Sequence, residues 1–370
     1  MRIAFDGSTL TADKTGVGFY TENLLLSLAG ELAEDLVVIS HRDIVTSRPI
    51  PANLRTLIRG RACPRTLWMQ FLAPNMLLAL DPGVAHFTNS ITPIRKITPY
   101  VLTIHDMTLR LFPEMHPWHR VLFRPLTELA ARRADAIITV SESSRADTER
   151  LLGIPGDKIH VIYNGAAPSF RVMEAGPSFD EIRRRYGLAG RFVLTVGTIE
   201  PRKNLKRLIE AFLRLRHGGT LEHQLVCVGR LGWRFKEIPR LIKERNLEGQ
   251  VVLTGYVPSA DLPILYNLCE FFVYPSLYEG FGLPVVEAMA CGAPVVVANC
   301  PALVEVTGEA AERVNPHNTD SIESALRRLI DSEDLRCELS QRSQVQARRF
   351  SWSKAAEETM GIYRTISGNC

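Results

Sequence analysis

Residues 271–292 read FFVYPSLYEGFGLPVVEAMACG, and this stretch narrows the choice of folds more than any other. The wholly apolar run 271–274 has the character of a buried strand in a parallel sheet. Pro275 and Ser276 end it, and Gly280 and Gly282 follow. Pro284 stands where a helix would begin, a position that tolerates proline because its missing N–H has no partner to lose there. Val285, Val286, Ala288 and Met289 supply an apolar helix, and Gly292 sits where it should stop. Strand, glycine turn and helix start together form an anion site, since free backbone N–H groups and the positive end of the helix dipole converge over the turn. Glu279 and Glu287 bracket that turn. Glu287 is expected in the first turn of its helix, where the dipole favours a carboxylate.

Strands and helices alternate through the rest of the chain, in two cycles. Strands are predicted at 2–5, 36–40, 84–88, 101–104, 136–140 and 161–163. After residue 5, Thr15-Gly16-Val17-Gly18 opens a helix with Tyr20, Leu24, Leu25 and Leu28 on one face. Helical patterns also fall at 122–133 and 143–152. The alternation lapses after Asn164-Gly165, and 166–178 reads as a linker. It resumes with strands at 192–196, 224–228, 251–254, 271–274 and 295–297, and residues 351–363 are helical. Such alternation gives parallel sheets covered on both faces. The expected fold class is therefore α/β, with two Rossmann-like doubly wound domains facing a central cleft.

Composition agrees with an enzyme of ordinary kind. A chain of 370 residues is long for one core, so two domains are the default. Its 46% hydrophobic and 23% charged content is that of a globular protein. A formal charge of +4 does not call for nucleic acid as a partner. Cysteines 63, 227, 269, 291, 300, 337 and 370 are scattered without a C-x-x-C pair, which suits reduced thiols in a cytosol. MRIAFDG carries no signal-peptide pattern, and no run of 18 apolar residues is present. The chain is expected to be soluble and cytoplasmic.

A second chemical cluster is Gly197-Thr198-Ile199-Glu200-Pro201-Arg202-Lys203-Asn204, between a strand and a helix patterned on Leu205, Leu208, Ile209 and Phe212 that ends at Gly218-Gly219. Asn204 is the expected N-cap. Arg202 and Lys203 then lie at a strand's C-terminal mouth, where α/β sheets bind ligands. Cations held there can stabilise a negatively charged leaving group.

The sequence SLYEGFGLPVVEAMACGAPVV, with its E-x7-E pair, resembles the signature of retaining glycosyltransferases of family 4, and G-x-x-E-P-R-K-N resembles that family's phosphate-binding loop. The resemblance implies the GT-B fold and transfer of a sugar from a nucleotide diphosphate. It places 1–167 as an acceptor-binding domain and 168–351 as a nucleotide-sugar-binding domain, with a last helix (about 352–370) crossing back to the first. It implies that Glu287 accepts hydrogen bonds from ribose hydroxyls, that Glu279 lies near the donor sugar, and that Phe281, Gly282 and Leu283 offer backbone N–H groups beside Gly280. Gly197 belongs to the phosphate loop, Tyr256 and Val257 border the base, and Gly16 and Gly18 count among the donor-binding residues. Many relatives have arginine directly after the glycine where this chain has Thr198; Arg202 or Arg230 are the alternatives to replace it. His105, in TIHD at a strand end, matches a histidine close to the donor sugar, and His86 is a weaker candidate. The catalytic set is thus His105, Arg202, Lys203 and Glu279.

Many nucleotide-sugar enzymes hold Mg²⁺ or Mn²⁺ with D-x-D. No D-x-D occurs here, Asp331 and Glu333 coming closest in a polar break between helices, so no cofactor or metal is expected. GDP-mannose is the first donor expected, with UDP-, ADP- or dTDP-sugars as alternatives. A glycan or polyprenyl-linked acceptor of surface polysaccharide is the expected partner. Residues 44–80 carry Arg48, Arg55, Arg59, Arg61 and Arg65, followed by Trp68, Met69, Phe71 and Leu72. Peripheral contact with an anionic membrane and a solvated face beside a core helix are equal readings of it. Trp68 is read as buried, with Gln70 beside it as an acceptor-side candidate. A nucleotide-sugar 2-epimerase does not match the 279–287 stretch, and a catalytically silent subunit does not need the retained acids and cations. A Rossmann dehydrogenase would need a third glycine that T-G-V-G-F-Y lacks.

Overall fold

A computed structural model describes all residues except 33, 34, 53, 218–221, 233–236 and 369–370. Gly218 and Gly219 therefore lie outside the described residues. The chain divides into two compact units, one of Met1–Gly165 with Ser351–Cys370, the other of Ala166–Phe350.

The first unit is built on seven parallel strands: β1 (Ile3–Asp6), β2 (Leu36–Ser40), β3 (Arg55–Ile58), β4 (Val84–Phe87), β5 (Tyr100–Ile104), β6 (Ala136–Thr139) and β7 (Ile159–Val161). They lie in the order β3-β2-β1-β4-β5-β6-β7. The second unit has six: β8 (Phe192–Val196), β9 (Gln224–Val228), β10 (Val251–Gly255), β11 (Phe271–Tyr274), β12 (Val295–Ala298) and β13 (Ala311–Val314), ordered β10-β9-β8-β11-β12-β13. All their pairings are parallel. Each sheet reverses direction of growth once, between β1 and β4 and between β8 and β11. These reversals are where doubly wound sheets open a crevice for ligands.

Strands β3 and β13 escaped the sequence pattern. Both are edge strands, exposed or half-exposed along most of their length, and they carry Arg55, Glu312 and Arg313. Charge on an edge guards against unwanted pairing, and it also erases the apolar run that marks a strand. The strand expected at 161–163 lies slightly earlier, at Ile159–Val161.

In the first unit, successive residues point to opposite faces of the sheet. Ala4, Val37, Ile39, Ala85, Phe87, Leu102 and Ile104 share one apolar cluster with Trp68, Met69 and Met76. His86 and Thr103 point to the other face, where they meet Tyr363 and Tyr20. Helix Trp352–Ser367 packs there on helix Gly16–Leu32. The chain crosses itself at Gly165, where a Cβ would overlap the backbone of Ser351 and Trp352. Trp68 and Met69 are fully buried, in line with the buried reading of Trp68 and with a core helix beside the arginine-rich face; Leu67, Phe71 and Leu78 are exposed large apolar residues of that segment. No helix among the described residues is long and apolar enough to cross a membrane.

Candidate functional site

The site is built where β8 and β11 lie side by side at the reversal of the second sheet. The loop after β8 turns through the short 3-10 helix Pro201–Lys203, closed by Asn204 in the left-handed conformation (φ 59°). Asn204 stands directly before helix Leu205–His217, its carbonyl accepting from Leu208 N (3.2 Å), while its side chain serves other segments. Its side-chain amide donates to Pro275 O (3.0 Å) and Pro316 O (2.7 Å), while its Oδ1 accepts from Arg207. The asparagine thus ties the basic loop to the segments that follow β11 and β13. Leu277 N donates to Arg202 O (2.9 Å), a second tie between the two loops.

Those ties bring two cations onto one carboxylate. Lys203 Nζ is 2.6 Å from Glu279 Oε1, and Arg202 Nη1 is 2.8 Å from Glu279 Oε2. Arg202 also donates to Tyr278 O and, through Nε and Nη2, to Glu200 Oε1. Lys203 donates to the Tyr274 hydroxyl and lies 4.7 Å from that ring's centroid. Burial alone would raise the Glu279 pKa, but the two cations outweigh it and hold the carboxyl at about 2. Burial and the neighbouring Arg202 push Lys203 down, against the pull of Glu279. An ammonium has three donors. Glu279 and Tyr274 take two of those on Lys203.

Glycines shape the mouth of the same sheet. Gly197 N donates to Val228 O and Gly229 N to Gly255 O, so pairing continues past the ends of β8 and β9. A Cβ at Gly229 would overlap the Gly197 carbonyl oxygen. After β11, Gly282 adopts φ 100° and starts helix Leu283–Ala290; a Cβ there would meet Leu303 Cδ2 at 2.6 Å. The Phe281 ring is buried against Phe350 (centroids 5.7 Å apart), which fixes the backbone beside Gly280.

Glu287 is the fifth residue of its helix, one turn further in than expected, so the dipole does not account for it. Tyr266 OH donates to its Oε2 (3.2 Å), and burial pushes its pKa up to about 8. The two glutamates of the signature are therefore pushed in opposite directions, Glu279 toward its charged form and Glu287 toward its neutral one. Arg230 stacks over Tyr256 at 4.6 Å from the ring centroid, both just beyond β9 and β10, while Val257 is buried.

His105, Gly16 and Gly18 belong to the first unit. His105 Nε2 donates to Thr88 O (2.8 Å), since a carbonyl only accepts, and this leaves Nδ1 as the ring's acceptor. Its ring meets Tyr20 edge-on at 4.6 Å, and burial holds its pKa below the ordinary value. Gly16 and Gly18 begin helix Gly16–Leu32, and a Cβ on Gly18 would crowd Lys14 Cγ at 2.9 Å. His86 is fully buried within the sheet face and has no route to a ligand. Gln70 bonds Thr92 O and Ile94 N.

Sequence reasoning missed Glu200, Tyr274 and Tyr266. Glu200 stood inside the basic loop as an acid beside two cations, which was a usable signal. The tyrosines read only as core residues.

The family model for glycosyl transferases group 1 matches residues 178–346, and that for glycosyltransferase family 4 matches residues 15–170. O-antigen chain mannosyltransferase B of Escherichia coli is 35% identical over 99% of this chain and all of that protein. Sucrose-phosphate synthase from Thermosynechococcus elongatus superposes over 100% of both chains with TM-score 0.80 at 19% identity. Anabaena HepE, in complex with UDP and glucose, superposes over 98% of this chain and 99% of its own with TM-score 0.76 at 20% identity. Both solved structures share this chain's fold.

Replacing Glu279 by Gln tests the cluster. Two largely buried cations would lose their shared carboxylate, at a cost of about 3 kcal/mol near pH 7 in denaturant melts. The native pKa is depressed, so this contribution is present above the unfolded value near 4.5 and is lost as pH falls towards 2. The gap between variant and wild type should close over that range. Equal stability at pH 7 would contradict the pairing.

Proposed function

The chain belongs to the glycosyltransferases of group 1 and family 4, and from that membership we propose that it transfers a hexose, mannose from GDP-mannose first, with retention of anomeric configuration. The acceptor is a glycan or polyprenyl-linked glycan of a surface polysaccharide. The observation that carries this reading is the Lys203–Glu279–Arg202 cluster at the reversal of the second sheet. An ammonium held there suits the phosphate of a departing nucleoside diphosphate. The mannose assignment follows the mannosyltransferase named among the relatives. A UDP-, ADP- or dTDP-sugar is the alternative donor.

The chemistry follows from the state of each group. Retention through a covalent intermediate needs a carboxylate nucleophile. Glu279 has both oxygens engaged by cations, and Glu287 is shifted toward its neutral form and bonded by Tyr266, so neither is suited to attack. Same-face attack by the acceptor hydroxyl fits better: the bond to the leaving phosphate breaks as the new glycosidic bond forms, and the phosphate takes the acceptor's proton. Lys203 stabilises the leaving charge in place of a metal ion, while Arg202, held by Glu200, Glu279 and Tyr278 O, keeps Glu279 in position. Glu287 accepts from ribose hydroxyls, and His105 Nδ1 accepts from a sugar hydroxyl.

Exposed Leu67, Phe71 and Leu78, with exposed Arg55, Arg59 and Arg61 just before them, give the protein a surface for peripheral contact with anionic lipid on the cytoplasmic face of a membrane. Co-sedimentation with phosphatidylglycerol vesicles should exceed that with phosphatidylcholine vesicles. Equal pelleting would remove this contact from the account.

A melting-temperature panel of GDP, UDP, ADP and dTDP should single out one nucleotide, GDP first, because a ligand binding only the folded state raises the midpoint. With the matching nucleotide sugar, transfer should persist in EDTA and the product should keep the donor's anomeric configuration. Lys203→Ala should slow transfer by about a hundredfold. Near-normal turnover of that variant would refute the role given to Lys203.

A further inference from the structure

Two polar side chains, His86 and Thr103, sit fully buried on the sheet face covered by helices Gly16–Leu32 and Trp352–Ser367. They form the middle of an unbroken chain of hydrogen bonds. Tyr363 Oη lies 2.6 Å from His86 Nδ1, and His86 Nε2 lies 2.8 Å from Thr103 Oγ1. Thr103 Oγ1 in turn lies 3.0 Å from Tyr20 Oη. The Tyr20 ring then stands edge-on against His105, with centroids 4.6 Å apart and planes at 83°. On its other side the same ring meets Trp352, 5.8 Å away. Helix Trp352–Ser367 therefore reaches Tyr20 twice, through the Trp352 ring directly and through the Tyr363 hydroxyl by way of the sheet.

We propose that Tyr363 is a positioning residue for His105, acting through His86, Thr103 and Tyr20 to hold the imidazole where a sugar hydroxyl can reach its Nδ1. The chain can run in either direction. If Tyr363 donates to Nδ1, then His86 Nε2–H donates to Thr103 and the Thr103 hydroxyl donates to Tyr20. In the reverse sense Tyr20 donates to Thr103, Thr103 to His86 Nε2 and Nδ1–H to Tyr363, so each of the four groups keeps at least one partner. Removing one end leaves a buried donor or acceptor without a partner, a cost that favours repositioning of the side chains between. Tyr20 is the last of these, and His105 is otherwise fixed by its bond to Thr88 O. A helix carrying no reacting group thereby controls one that the proposed function places on the donor sugar. The inference rests on that reading for its consequence, though not for the contact itself.

Tyr363→Phe keeps the ring and removes the hydroxyl. Its kcat should fall about tenfold with KM for the nucleotide sugar within about twofold, since small displacements of an orienting group slow chemistry more than binding. In a His105→Ala background the same change should cost less than about twofold, because the path it acts through is gone. Thr103→Val breaks the chain at its centre and should reproduce the loss, whereas Thr103→Ser restores the hydroxyl and should restore the rate. These two variants give the same readout if Tyr363→Phe folds poorly. The His105 ring resonances of the nucleotide-free protein should shift in Tyr363→Phe and Thr103→Val. Unchanged resonances in both variants would overturn the proposal, as would an equal kcat loss with and without His105. If His105→Ala alone turns over normally, the sugar contact falls, and the resonances still decide whether Tyr363 positions the ring.

Discussion

One carboxylate held between two cations organises the second unit. Glu279 comes from the loop after β11, and Lys203 and Arg202 come from the loop after β8. The sheet brings those loops together only because β8 and β11 are neighbours at the point where the strand order reverses. Burial opposes ionisation of both partners, so neither charge would persist alone at this depth. The pairing makes each tolerable and gives Lys203 a fixed direction. Asn204, bonded to Pro275 O and Pro316 O, fixes the loop independently of that pairing.

The same logic separates the two glutamates of the E-x7-E signature. They are close in sequence, yet their surroundings push them in opposite directions. Glu279 has cations on both oxygens, and Glu287 has only a tyrosine hydroxyl and burial. An environment set by other segments, Arg202 and Lys203 in one case and Tyr266 in the other, decides which way each is pushed.

Much of this was legible in the sequence because the central parallel strands are apolar at most positions. Residues 36–40, 192–196, 224–228 and 271–274 announce themselves, and the glycine turn before Pro284 marks the helix start. Edge strands β3 and β13 do not, since solvent allows them arginine and glutamate. The residues at the site were legible as types at loop positions, but their partners were not. That Asn204 serves carbonyls at 275 and 316, or that Tyr363 reaches His86, depends on contacts between segments far apart in the chain. Local pattern carries no information about them.

The central claim is that Lys203, aimed by Glu279, contacts the outer phosphate of a nucleoside diphosphate. Calorimetric affinities for a nucleoside diphosphate and its monophosphate, measured in wild type and in Lys203→Ala, address it directly. The account predicts that wild type prefers the diphosphate by about tenfold or more, roughly 1.4 kcal/mol, and that the preference disappears in the variant. A preference of the same size in both proteins would contradict it.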